Sequence, residues 1–332
     1  MARALVLGAT GHIGSHIVRA LLADGHSVRA AYRNDRYLSL LEELPVEKVR
    51  VDLEEPEGNG LKAALKGCEW VFHAAGYYPS SREGREAAIR KGTESTRRLL
   101  EIIRQADPIR IVFTSSAATI RIVPGRLANE NDAEDWPPSG RRSLYAAVKI
   151  GMEREALEFA RRGLPIVVVN PTLCIGEYDA HTFSGRAVLA YARHRVPFFI
   201  EASFNVVYTG DVGVGHLKAA QRGRVGHRYL LTGQNVTLKE FGTLVARAAG
   251  VPPPRWRVPH AVALGSASIL EMRARLTGRE PLYTRQEIRM SRQGYLLDGT
   301  KAVQELGVPQ TSVEEAVQRA LDWFRRNGTL KG

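Results

Sequence analysis

Two cysteines in 332 residues, Cys68 and Cys174, leave no disulfide framework and no thiolate metal cage. Both read as small buried side chains of a reduced compartment. The nine histidines are scattered, and no His-x-x-x-His pair encloses a glutamate, so the helical zinc-hydrolase pattern is missing. No apolar run approaches the ~20 residues that span a bilayer. Ala4-Leu5-Val6-Leu7 is too short for the core of a secretory leader and runs straight into glycines, so a first buried strand is expected there. Together these absences predict a cytoplasmic chain without a membrane span or a metal. Aromatic residues are only 7%, there is no basic tail, and the net charge of +12 comes from arginines spread among acids. Such a pattern suits anionic small molecules and does not point to a nucleic-acid partner.

What is present is rhythm. Over the first 170 residues, short runs rich in Val, Ile and Leu alternate with amphipathic segments. Strands are expected at Ala4–Leu7, Ser27–Tyr32, Lys48–Val51, Trp70–Ala74, Arg110–Thr114 and Ile166–Asn170. Helices are expected at Gly14–Asp24, Leu61–Lys66, Thr93–Gln105 and Tyr145–Arg162. Strands of this composition, joined by helical crossovers, predict an α/β Rossmann-type doubly wound parallel sheet. After Pro171 the rhythm changes. A loop-rich stretch follows, then a strand–turn–helix unit near Asn205–Ala220, a strand at Arg228–Thr232 and helices at Thr237–Ala249, Pro259–Leu276 and Ser312–Asn327. Thr237 with Glu240, and Ser312 with Glu315, have capping-box spacing, and Gly328 supplies a stop. The expected division is a dinucleotide-binding domain at 1–170, with a returning strand and helix near 205–232. A smaller α/β portion at 171–204 and 233–330 would hold a small-molecule substrate against it.

Gly8-x-x-Gly11-x-x-Gly14 lies between the first strand and the first helix. Glycines there permit a tight turn and close approach to a pyrophosphate, which the helix N-terminus favours. Thr10, His12 and Ile13 share that loop and first turn. At the end of the second strand an acid would bind ribose hydroxyls, whereas an arginine accommodates a 2′-phosphate. Arg33 falls there, so NADP is expected, with NAD as the alternative if Asp35 turns inward. Asp52 and Leu53, after the third strand, are placed for the adenine edge. Ala74, Ala75 and Gly76, after the fourth, are small where the chain passes the cofactor, and His73 reads as a packed residue.

Tyr145 and Lys149 stand four apart on one helix, so the ammonium can face the phenol. A phenol titrates near ~10, and a neighbouring cation favours its ionised form. Upstream, Thr114-Ser115-Ser116 ends a strand, and the Ser116 hydroxyl can orient a carbonyl. In this order the pieces predict an oxidoreductase.

These stretches, with Asn170-Pro171-Thr172, Val207–Ala220 and the closing Trp323–Gly328, resemble the extended short-chain dehydrogenase/reductases of the epimerase/dehydratase superfamily. Within it the chain is most similar to dihydroflavonol-4-reductase-like proteins and hopanoid-associated sugar epimerases. The resemblance implies that Tyr145 is the general acid or base, that Lys149 lowers its pKa and binds the nicotinamide ribose, and that Ser116, rather than Ser115, polarises the carbonyl. It implies that Pro171 and Thr172 line the nicotinamide side, and that helices 93–105 and 145–162 can pair in a homodimer. The chain departs from the family at Ile89–Thr96, where no asparagine stands, and at Tyr77-Tyr78-Pro79-Ser80-Ser81-Arg82, whose tyrosines suit either a flat ligand or the core. The leading expectation is an NADPH-dependent ketone or aldehyde reductase. The alternatives are a sugar or nucleotide-sugar epimerase/dehydratase, and an NADP-sensing regulator without turnover.

Overall fold

A computed structural model describes residues 1–54, 59–79, 83–139, 142–277, 283, 285, 288–289 and 294–330. Ser80, Ser81 and Arg82 therefore lie outside the described residues. The first part of the chain runs β1 (Arg3–Leu7), α1 (His12–Ala23), β2 (Ser27–Tyr32), β3 (Glu47–Arg50), α2 (Asn59–Leu65), β4 (Trp70–His73), α3 (Arg85–Gln105), β5 (Arg110–Thr114), α4 (Leu144–Arg161) and β6 (Ile166–Pro171). It continues as β7 (Leu173–Ile175), α5 (Gly185–Ala192), β8 (Phe198–Phe199), β9 (Ser203–Tyr208), α6 (Thr209–Arg222), β10 (Arg228–Leu231), β11 (Gln234–Thr237), α7 (Leu238–Ala249), β12 (Trp256–Arg257), α8 (His260–Thr277) and α9 (Val313–Arg326).

Seven parallel strands form the main sheet in the order β10-β6-β5-β4-β1-β2-β3. The order reverses between β1 and β4, and ligands of such sheets bind beyond the strand ends at that crevice. Helices cover both faces because the strands are apolar on both. On one side α1 buries Ile17, Val18 and Leu21 in a core shared with Val212 and Leu217 of α6. On the other, Leu100 and Ile103 of α3 share a core with Val148 and Phe159 of α4. Each such side chain contributes about 1.5–3 kcal/mol relative to exposure. Polar residues are buried in this scaffold too, Arg29 among them. Arg29 of β2 donates to the Ala64 and Lys66 carbonyls at the end of α2, where a helix leaves acceptors unsatisfied, and pairs with Glu47 at 2.9 Å.

The smaller portion has its own core of Val188, Phe241, Val317 and Phe324, under a three-stranded sheet ordered β11-β9-β7. Three details differ from the sequence reading. The strand near 205 pairs with β7 and β11 rather than entering the main sheet; α6 and β10 alone return to it. Helix α3 starts at Arg85, one helical stretch earlier than Thr93, because Gly84 caps it in extended backbone and Ala88 is buried. Finally, the Thr237–Glu240 capping box is reciprocal, but only half of the Ser312–Glu315 box forms. Ser312 accepts the Glu315 amide, while the Glu315 carboxylate turns to Arg319, which it meets at 2.6 Å.

Candidate active site

The glycines between β1 and the first turn of α1 have no room for side chains. Gly8 has φ +83°, a conformation L side chains rarely adopt, and a Cβ there would stand 2.9 Å from the Ala75 amide. A Cβ on Gly14 would collide with the Gly8 carbonyl. Gly11 caps α1 without a side chain, so the first-turn amides of His12 and Ile13 keep no side-chain partner from the cap. This backbone cradle, at the positive end of a twelve-residue helix, fits a pyrophosphate. Thr10 is buried in the same turn, and burial holds His12 near pKa 3, hence neutral.

Ala74 and Ala75 bring the end of β4 against the glycine loop, and Gly76 carries it on to Lys149. A Cβ on Gly76 would lie 2.5 Å from the Lys149 ammonium and would push it aside, so a glycine leaves the ammonium where it is. His73 is buried against the Phe113 ring, its Nδ1 makes no hydrogen bond among the described residues, and burial pushes it down to about 3. It is a packed neutral residue. Pro171 ends β6 opposite Leu231, and the Thr172 hydroxyl donates to Asn205 Oδ1 at 2.9 Å. Arg33, just past β2, is 67% exposed and meets Glu54 only at 3.4 Å. Asp52 is exposed and accepts the Glu54 amide, while Leu53 packs at the edge of the core. The loop after β7 reaches this end of the molecule too: the His181 ring lies 4.1 Å from that of Tyr37.

Ser143 caps α4 by accepting the Ala146 amide, which puts Tyr145 in the first turn and Lys149 one turn on. Lys149 is 2% exposed, 5.8 Å from the Tyr145 ring centre and 5.3 Å from that of Tyr78. Burial pushes its ammonium down to about 8, against the raising influence of Glu153. The Tyr145 phenol does not behave as expected. Burial drives it well above 10, the Tyr78 hydroxyl pushes the same way, and only Ser116 pulls it down. The spacing of four showed that an ammonium was near; it could not show how dry the phenol is, and desolvation is the largest influence on it.

Ser115 and Ser116 part company. Ser115 donates to the buried carboxylate of Glu153 at 2.5 Å. Ser116 accepts the Ala118 amide at 3.1 Å, which leaves its own proton available to the site. Glu153 went unnoticed in the sequence, although it continues the Tyr145, Lys149 spacing by one more turn. Its oxygens accept from Thr119, from Asn170 at 2.6 Å and from Arg228 at 2.5 Å, and Asn170 also donates to the Ser116 carbonyl. The turn carrying Ser116 is thereby tied to α4, β6 and β10. Of the two tyrosines after β4, Tyr77 donates to Glu83 and packs with the core, whereas Tyr78 stacks on Tyr145 at 5.6 Å and 18°. The exposed Phe183 ring meets Tyr78 at 5.4 Å. In the asparagine-free stretch Ile89–Thr96, Gly92 of α3 packs so closely on Val148 that a Cβ there would stand 2.8 Å from it.

A phenol, a hydroxyl that hydrogen-bonds it and a buried ammonium thus converge beside a dinucleotide cradle. The model of the NAD dependent epimerase/dehydratase family matches residues 4–231. The chain belongs to that family. It is 34% identical over 331 residues to a putative dihydroflavonol 4-reductase of Synechocystis sp., covering 98% of this chain and 95% of the relative. It is 32% identical to sterol demethylase protein B of Methylococcus capsulatus, over 98% and 99% of the two chains. Among solved structures it is similar to a nucleoside-diphosphate-sugar epimerase from Pseudomonas aeruginosa, with TM-score 0.83, 30% identity and 99% coverage of both. As a family member the chain is an NAD(P)-dependent oxidoreductase of the extended short-chain type. No helix among the described residues is long and apolar enough to cross a membrane.

Proposed function

We propose that this protein reduces a ketone or aldehyde on a flat, lipophilic substrate with NADPH. The observation that carries the reading is the pair of proton donors, Ser116 and Tyr145, converging beside a cradle of backbone. Bound there by the Gly8–Gly14 loop, the Ala74–Gly76 segment and Lys149, a nicotinamide dinucleotide would supply the hydride. The protein's own residues do the rest. Ser116, its oxygen already engaged by the Ala118 amide, donates to the carbonyl oxygen and draws off charge. Tyr145 then gives its proton to that oxygen as the alkoxide develops. The Lys149 ammonium lies close enough to steady the phenolate left behind.

The direction of the Tyr145 shift favours reduction over epimerisation. A phenol held above its ordinary range is protonated at neutral pH, so the form present is the one reduction starts from, although the shift makes it a weaker acid. An epimerase must begin by removing a hydroxyl proton. The mouth agrees: Tyr78 and Phe183 are aromatic. The names of two relatives, a putative dihydroflavonol 4-reductase and sterol demethylase protein B, both refer to fused-ring molecules. Arg33 favours NADPH because its loose pairing with Glu54 leaves the guanidinium free to meet a 2′-phosphate.

The test is a panel of ring ketones, aldehydes and nucleotide sugars, each with NADPH and with NADH, followed by nicotinamide absorbance. Stoichiometric loss of NADPH with a lipophilic ketone is the expected result. Interconversion of a nucleotide sugar with no net loss of either cofactor would replace this reading by the epimerase one.

A further inference from the structure

Helix α8 breaks the usual rule for a surface helix. Its inner face, Ala263 and Ala267, packs on Ile200 and Ile288. Its outer face should be polar. Instead Val262, Ile269, Met272 and Leu276 are 59%, 63%, 59% and 83% exposed. At the helical repeat these four project within an arc of about 80°, an apolar stripe about four turns long. Trp256, 66% exposed, precedes the same helix on β12. Contiguous exposure on this scale marks a contact surface rather than ordinary scatter.

Charge says what kind of surface meets it. Among the described residues around this helix, Arg255, Arg257, Arg273, Arg285 and Arg289 are exposed. Arg273 is exposed and projects on the same side of α8 as the apolar stripe, at the helical repeat. Arg255 and Arg257 flank Trp256 and are exposed as well, Arg257 reaching Glu201 at 2.8 Å. The single glutamate of α8, Glu271, accepts the Arg285 amide. A second copy of the chain docked through this face would bring arginine against arginine across a two-fold axis, which charge repulsion opposes. An anionic lipid surface has the complementary sign, accepts the apolar stripe and leaves the long arginine side chains at the headgroups.

We propose that α8, with Trp256, is a peripheral membrane-docking surface that seats the protein on anionic bilayers. The helix lies along the surface; its length and charge do not suit it to cross. This docking stands apart from the reductase reading, because its test reads lipid binding and not turnover. The full-length protein is sedimented with vesicles of phosphatidylglycerol and, separately, of phosphatidylcholine, for the native chain and for Ile269→Glu, Leu276→Glu and Arg273→Glu. The expected result is cosedimentation with phosphatidylglycerol, weak binding to phosphatidylcholine, and a loss of about tenfold or more in the two apolar-to-charged variants. Arg273→Glu should weaken the phosphatidylglycerol binding and its dependence on salt. Thermal melting of each variant at the native temperature shows that the fold is kept; a variant that melts early is replaced by the milder Ile269→Ser. Failure of the native protein to bind phosphatidylglycerol, or equal binding by the variants, overturns the proposal. So does sedimentation velocity showing a native dimer that Ile269→Glu converts to monomer, since the stripe would then belong to a second copy.

Discussion

Replacing Lys149 by methionine should make the protein more stable at neutral pH while destroying its activity. The side chain is buried, and its ammonium titrates near 8 instead of 10.5. That difference corresponds to about 3 kcal/mol of burial cost. The faces of Tyr78 and Tyr145 return part of it, about 1–2 kcal/mol for a desolvated cation over aromatic rings. Lys149→Met should therefore gain about 1–2 kcal/mol at pH 7, because methionine fills a similar volume with no charge to desolvate. The pH dependence has a definite sign. Between pH 8 and 10.5 the unfolded lysine binds a proton and the folded one does not, so the native protein's stability rises with pH there relative to the variant. The cost is whole below pH 8 and vanishes by about pH 10.5. Urea unfolding of both proteins at pH 7 and pH 10 measures it. A variant less stable than native at pH 7, or a gap that does not close with pH, would refute the reasoning.

Arg33→Ala should weaken NADPH binding by about tenfold or more and NADH by less than about threefold, since the guanidinium meets only the 2′-phosphate; fluorescence titration with both reduced cofactors decides it, and equal losses would reject Arg33 as the discriminator. Glu153→Gln leaves Arg228 without its anion and should cost about 2 kcal/mol, discounted for the partial exposure of Arg228. Its kcat should fall more than its KM changes, and restoration of stability in Glu153→Gln/Arg228→Met would mark the pair as the cause. Tyr78→Phe removes the hydroxyl that holds the Tyr145 proton, so the alkaline limb of the reduction profile should move to lower pH; an unmoved limb would separate Tyr78 from the proton donor.

The parts legible in the sequence were those whose physics is local. Gly8, Gly11 and Gly14 lie within seven residues, and the spacing of four between Tyr145 and Lys149 follows from helical geometry alone. Strand composition was enough for the parallel sheet because both faces of each strand are covered. Properties that arise from distant segments were not legible. Tyr78 and Tyr145 are far apart in the chain, and only the crevice between β4 and α4 stacks them. Glu153 lies on the right helical face, but a glutamate one turn past a lysine reads as a surface pair until β5, β6 and β10 close over it. The phenol's shift follows from dryness, which no spacing reports. Glu315 had two partners within reach and took Arg319, a choice that capping spacing alone does not settle.

The most direct test of the account is hydride transfer in Tyr145→Phe, measured in a single turnover with NADPH and a ketone substrate. Loss of the proton donor should slow the step by about 10²–10⁴-fold. The dissociation constant for NADPH should stay within about threefold, because the glycine cradle and Lys149 are untouched. Transfer in Tyr145→Phe at a rate within about tenfold of native would mean that the proton comes from elsewhere, and the assignment of this site would fail.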